Sequence, residues 1–109
     1  MVPIDFISIF DELKTEVISI ATSTVKEYKK AAKADAVMLI EKMKDDLERW
    51  AQQFAEGKLS AKDVEFLILG QKELIEMEAL KQVGLSLIKI DELKGKILNS
   101  IINKIIGFI

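Results

Sequence analysis

Between Ile4 and Glu56, apolar residues recur every eleven positions in two columns. Phe6, Val17, Tyr28, Leu39 and Trp50 form the first; Phe10, Ala21, Ala32, Met43 and Phe54, four residues on, form the second. Every one of these positions is apolar or aromatic, in a chain that is 50% hydrophobic, so the repeat is more than a by-product of composition. Eleven residues over three turns is about 3.67 per turn, so a long helix carrying this repeat runs straight or coils gently right-handed. The pattern predicts one long helix over about 4–56. Pro3 suits a first-turn position and Asp5 is an alternative N-cap. Thr22, Ser23, Thr24 and Val25 are poor helix formers and the best place for a break in this half. Both columns pass through them in phase, however, and that favours continuity.

The clearest punctuation follows at residues 57–60. Gly57 fits the left-handed residue that ends a helix, and Ser60 fits the N-cap of the next. Asp63, three residues on, makes a short-armed capping box, with Leu59 and Val64 at the hydrophobic-staple positions. So short a connection makes its two helices antiparallel neighbours.

A second helix is expected over about 61–106, with its own columns: Ile68, Ala79, Ile90 and Ile101, and Val64, Ile75, Ser86, Ile97 and Phe108. Folding the chain back near residue 59 sets Trp50 against Ile68, Leu39 against Ala79, Met43 against Ile75, Tyr28 against Ile90 and Val17 against Ile101. Gly70, Gly84 and Gly95 lie inside this helix, each costing about 1 kcal/mol against Ala, which signals close packing or a break. Gly84 is the main candidate for a break, with Ser86 or Asp91 as a following cap. The Ile68 column crosses it in phase, so continuity is preferred here too.

The fold class that results is all-α: one domain, 1–109, built as an antiparallel hairpin of two long helices with coiled-coil-like eleven-residue repeats. Such a rod is roughly 70 to 80 Å long and covers only one stripe of each helix. Ile7, Ile9, Leu13, Ile40, Leu47, Leu74, Leu87, Ile88, Leu98 and Ile105, among others, then need cover, because a patch of that size is not left in water. The expected solution is a dimer of hairpins forming a four-helix bundle. The alternative is a compact three- or four-helix monomer with breaks near Thr22 and Gly84.

Charge and chemistry narrow the function. Sixteen basic and 18 acidic residues give a net charge of -2, with no global attraction to nucleic acid. The chain has no His and no Cys, which removes disulfides, thiolate metal sites, cysteine nucleophiles and the usual base at neutral pH. No enzyme, no cofactor and no small-molecule substrate are expected. Lys26, Lys29, Lys30 and Lys33 share one helical face, as a solvated surface or a patch for an acidic partner. Glu41, Asp45 and Glu48 also share a face, and with Lys42, Lys44 and Arg49 nearby they read as an ion-pair lattice before a cation site. Tyr28, Trp50, Met38 and Met43 read as core.

From Lys96 to Ile109, apolar residues at 97, 98, 101, 102, 105 and 106 oppose Lys96, Asn99, Ser100, Asn103 and Lys104, the layout of an interfacial helix. The candidate interface or membrane residues are therefore Ile97, Leu98, Ile101, Ile102, Ile105, Ile106 and Phe108, together with Phe6, Phe10 and Leu13 of the N-terminal run that they meet. The expected function is a non-enzymatic, self-assembling scaffold or interaction protein, dimeric and without nucleic acid. The alternative is a membrane-active helical protein that inserts this apolar terminal end into lipid. No basic residue precedes the apolar run of Met1–Phe10 and no uncharged apolar stretch is long enough to span a bilayer, so neither a secretory signal nor a transmembrane helix is expected and a cytoplasmic location is favoured.

Overall fold

The computed structural model describes residues 4–108; Pro3 lies outside them. The first helix, α1 (Phe6–Thr24), starts at Asp5, whose carboxylate accepts from the Ser8 backbone N–H at 3.3 Å and the Ser8 hydroxyl at 2.7 Å. The single helix expected over 4–56 does not form. α1 stops at Thr24, Val25 leaves the helical region (φ -116°, ψ 78°), a 3₁₀ turn spans Lys26–Tyr28, and α2 runs Lys29–Ala55. The hydroxyls before the break explain it in part. Thr22 Oγ1 donates to the Ile18 carbonyl at 3.0 Å and Ser23 Oγ to the Ile20 carbonyl at 3.3 Å, back-bonding that weakens the last turn. Val25 is β-branched and buried, so its departure from the helix gains a core contact.

The turn at 57–60 takes the form its residues dictate. Gly57 is left-handed (φ 77°); its N–H donates to the Phe54 carbonyl at 3.1 Å and that of Lys58 to the Gln53 carbonyl at 2.9 Å, the paired bonds of a Schellman motif. Helix α3 (Ala61–Leu69) then opens on a reciprocal capping box: the Asp63 N–H donates to Ser60 Oγ at 3.1 Å, and the Ser60 N–H to Asp63 Oδ2 at 2.9 Å.

The second long helix is also divided. After α3 come a 3₁₀ turn (Lys72–Leu74), a short extended piece at Ile75, the five-residue helix α4 (Glu78–Gln82) and finally α5 (Leu87–Phe108). Ile75 and Met77 are buried and Glu76 between them is exposed, a spacing of two that suits extended chain and not a helix. Gly84 (φ 88°) closes α4. The Leu85 N–H reaches the Leu80 carbonyl and the Gly84 N–H the Lys81 carbonyl, both at 3.1 Å, and Leu80 and Leu85 are both buried, the apolar pair that accompanies this cap. Ser86 then caps α5, its hydroxyl accepting from the Lys89 N–H at 3.3 Å.

The result is an all-helical, compact chain measuring 47 × 23 × 18 Å, not a rod of 70 to 80 Å. It makes four passes along the long axis, the third being α3, the 3₁₀ turn and α4 together. Lys14 pairs with Glu41 at 2.7 Å and Lys44 lies over the Phe10 ring, so α1 and α2 run antiparallel. Glu16 meets Ser100 at 2.7 Å and Lys104 at 3.1 Å, while Glu27 approaches Lys89 at 3.9 Å; α1 and α5 are antiparallel as well. The breaks at Val25 and Gly84 are those of the compact alternative, and they cover much of the surplus apolar surface, although Ile7, Leu74, Leu87 and Ile88 stay exposed. Ile9, Leu13, Ile40, Leu47, Leu98, Ile102 and Ile105 join the column residues in one core. Each such side chain contributes about 1.5–3 kcal/mol on burial.

Asp35 is the charged residue of that core, 3% exposed. Its carboxylate accepts from the backbone N–H of Leu80 at 2.8 Å and of Ala79 at 3.1 Å. These are second- and third-position amides of α4, otherwise without acceptors. A side chain 44 residues away in sequence thus supplies the N-cap that Met77 cannot.

Candidate functional site

The ten residues that sequence marks as interface or membrane candidates fall mostly inside the chain. Phe6, Phe10 and Leu13 on α1 and Ile97, Leu98, Ile101, Ile102 and Ile105 on α5 are buried, and Ile106 is half-buried against the same core. Phe108 alone of the ten is exposed, with Lys104 Nζ 5.5 Å from its ring centroid. The apolar terminal end is covered by the chain's own passes. Its amphipathic pattern is that of a helix packed on neighbours, which periodicity alone cannot distinguish from a helix lying in lipid. No described helix is long and apolar enough to cross a membrane.

The charged candidates are dispersed. Glu41 is engaged with Lys14, and that hydrogen bond holds its carboxyl below the ordinary glutamate range; Asp45 and Glu48 are exposed. Among the described residues, no group of three or more acidic side chains is arranged to hold a metal ion. Between α1 and α5 an open depression of about 660 Å³ is lined by Glu16, Ser100, Asn103, Lys104 and neighbours. Its carboxylate is already satisfied: the Ser100 hydroxyl first, then Lys104, keep Glu16 ionised to lower pH than usual.

A different surface stands out between α2 and the third pass. A cleft of about 360 Å³ has Leu39, Met43 and Ile75 on its floor and Met38 and Leu74 on its lips. Met38 and Leu74 are 62% and 63% exposed, large apolar groups that the fold leaves in water although a core lies beneath them. Polar groups ring the cleft, Lys42 and Asp46 from α2 and Gln71, Glu76 and Glu78 from the third pass. The neighbouring Glu76 and Glu78 carboxyls act on one another, which lowers the first and raises the second.

The break that opens this cleft follows from Asp35. By starting a new helix at residue 78 the carboxylate forces 70–77 out of helical register, and Leu74 turns outward while Ile75 and Met77 go in. Sequence reasoning passes over Asp35, although its position carries a signal: it shares a helical face with Ala32 and Leu39, three residues behind and four ahead, both in the apolar columns. An acid on a buried stripe implies a buried donor. Met38, which reads from sequence as core, is instead exposed at the lip of the cleft.

Comparison of the chain with protein-family models, curated protein sequences and solved structures finds no match.

Proposed function

We propose that this chain is a non-enzymatic interaction protein that assembles with a second copy of itself through the cleft between α2 and the third pass. The observation that carries the proposal is the pair Met38 and Leu74, exposed over an apolar floor of Leu39, Met43 and Ile75. The rim favours a like partner. It holds a lysine, Lys42, and the acids Asp46, Glu76 and Glu78, so across a two-fold axis the lysine of each copy can meet an acid of the other. Methionine and leucine at the lips adapt to an opposing side chain without a fixed shape. A cytoplasmic location belongs to this reading.

Light scattering after size exclusion tests it. The wild-type chain should reach twice its monomer mass on concentration, and Leu74→Asp or Met38→Asp should hold it at monomer mass with an unchanged helical signal. A monomer at every concentration, or a dimer indifferent to both substitutions, would refute the proposal.

The second reading, insertion of the terminal end into lipid, draws on Ile7 and Phe108, exposed at that end. It requires α1 and α5 to separate, since Phe6, Leu13, Ile101 and Ile105 are buried in the folded chain. Leakage of dye from liposomes, abolished by Ile7→Asp, would support it.

A further inference from the structure

The end of the molecule opposite the termini carries a pattern that self-association through the cleft does not use. There the first pass turns into the second through Val25 and Lys26–Tyr28, and the third into the fourth through Val83–Ser86. The two turns are neighbours, with Lys89 Nζ 3.9 Å from Glu27 Oε1. Lys26, Lys29, Lys30, Lys33 and Lys89 are all exposed here, and Glu27 is the one acid among residues 25–34 and 83–90. Asp91 and Glu92, one turn into α5, are exposed as well, so this end carries five lysines against three acids, and eleven basic and 15 acidic of the chain's 16 and 18 remain elsewhere. The molecule is therefore electrically polar, positive at its bends. At the same end Leu87 and Ile88, in the first turn of α5, are 70% and 74% exposed, with Val83 and Tyr28 also open to solvent.

We propose that this bend end docks on an anionic lipid surface. Lysines gain from the negative potential of such a surface only within about a Debye length, so they must be gathered at one end to act together, as these are. Aliphatic side chains beside them gain by entering the boundary between headgroups and acyl chains, and tyrosine is favoured at headgroup depth. A depression of about 280 Å³ beside the patch brings Lys26 and Lys29 together as cations for a headgroup phosphate, next to the Thr22 and Ser23 hydroxyls, which donate to backbone carbonyls. Nucleic acid would use the same charge but gains affinity from aromatic stacking and base edges, for which exposed Leu87 and Ile88 are of no use. The acidic remainder of the molecule orients it end-on, bends toward the surface.

Co-sedimentation of the full chain with vesicles tests this. Binding should appear with phosphatidylcholine vesicles containing phosphatidylserine, be absent with phosphatidylcholine alone, and weaken with salt. The double variant Lys26→Gln with Lys30→Gln should reduce partitioning about 25-fold, and Leu87→Ser with Ile88→Ser about tenfold or more. All four positions are exposed, so circular dichroism should show an unchanged fold. Leu74→Asp, which addresses the cleft, should leave lipid binding in place. Equal binding to both vesicle types, or none, would overturn the proposal, as would binding that survives both double variants or is lost instead with Ile7→Asp. Binding to duplex DNA as tight as to anionic vesicles, and indifferent to Leu87→Ser with Ile88→Ser, would assign the patch to an acidic polymer and overturn it equally.

Discussion

Residues 61–82 and α5 are stretches of equal length from the same expected helix, and they fold differently. In α5 the buried side chains are Ile90, Leu93, Ile97, Leu98, Ile101, Ile102 and Ile105, spaced by three and four throughout once adjacent pairs are counted as one face. One helix results. In 61–82 the buried residues are Val64, Ile68, Ile75, Met77 and Leu80, with a gap of seven and then a step of two. A sparse apolar stripe does not hold a helix against a competing tertiary bond, and the Asp35 carboxylate supplies that bond. From Ile90 to Ile105 the continuous pass is covered by the fold, with Leu87 and Ile88 of its first turn exposed; the broken one leaves Phe66 and Leu74, and Met38 opposite, in water.

The widest separation between the two passes should appear in large-to-small substitutions. Leu98→Ala removes a fully buried side chain of α5 and should cost about 2–5 kcal/mol in urea unfolding, whereas Leu74→Ala should lie within about 0.5 kcal/mol of wild type. Equal costs would abolish the distinction. Next in size is Asp35→Ala, which leaves the Ala79 and Leu80 N–H groups buried without an acceptor. We expect a loss of about 1–3 kcal/mol, with amide exchange accelerated over 76–84 and unchanged in α5. Asp35→Asn, which keeps one acceptor oxygen, should cost less.

Glycines sharpen the contrast further. Gly84→Ala puts a Cβ at φ 88° and should cost about 1–2 kcal/mol. Gly95→Ala, inside α5 with only Lys72 Nζ as near as 3.9 Å, should instead stabilise by about 0.5–1 kcal/mol. The smallest effect expected is on pH dependence. Ser100 and Lys104 lower the Glu16 carboxyl in the folded state, so its contribution is present at neutral pH, above the unfolded glutamate range. It is lost as pH falls through the lowered folded value. Glu16→Gln should flatten that acid limb of the urea midpoint, and an unchanged limb would remove the α1–α5 contact from the account.

Much of this was legible in the residues. The eleven-residue columns mark burial well: Phe6, Val17, Leu39, Trp50, Ile68, Ile90 and Ile101 are all buried, whereas Tyr28, expected in the core, is exposed because it falls in the turn between α1 and α2. They do so even though both long helices break, because short turns at Val25 and Gly84 return the chain to the core in compatible phase. That is also why periodicity missed the breaks. The local signals lie in the hydroxyls of Thr22 and Ser23 and in Gly84 followed by Ser86, and columns that stay in phase across both breaks mask them. Gly57, Ser60 and Asp63 specified their turn fully, since all its partners lie within a few residues. Asp35 to Leu80 was not legible as a contact, being a bond across 45 positions between residues that carry no shared pattern. The cleft that depends on it was hidden for the same reason, and the terminal candidates, Ile97 to Ile106, showed an apolar face without showing what covers it.

The terminal residues Ile97 to Ile105 lie in the core, and the partner surface proposed for this chain lies instead at the exposed Met38 and Leu74. Residue-resolved hydrogen exchange at low and high protein concentration tests it most directly. Strong protection of Ile97–Ile105 is expected at every concentration, with added protection on concentration confined to α2 near Met38 and to residues 71–78. Rapid exchange in α5 of the dilute chain, with protection gained there on concentration, would contradict it and make the terminal end the interface.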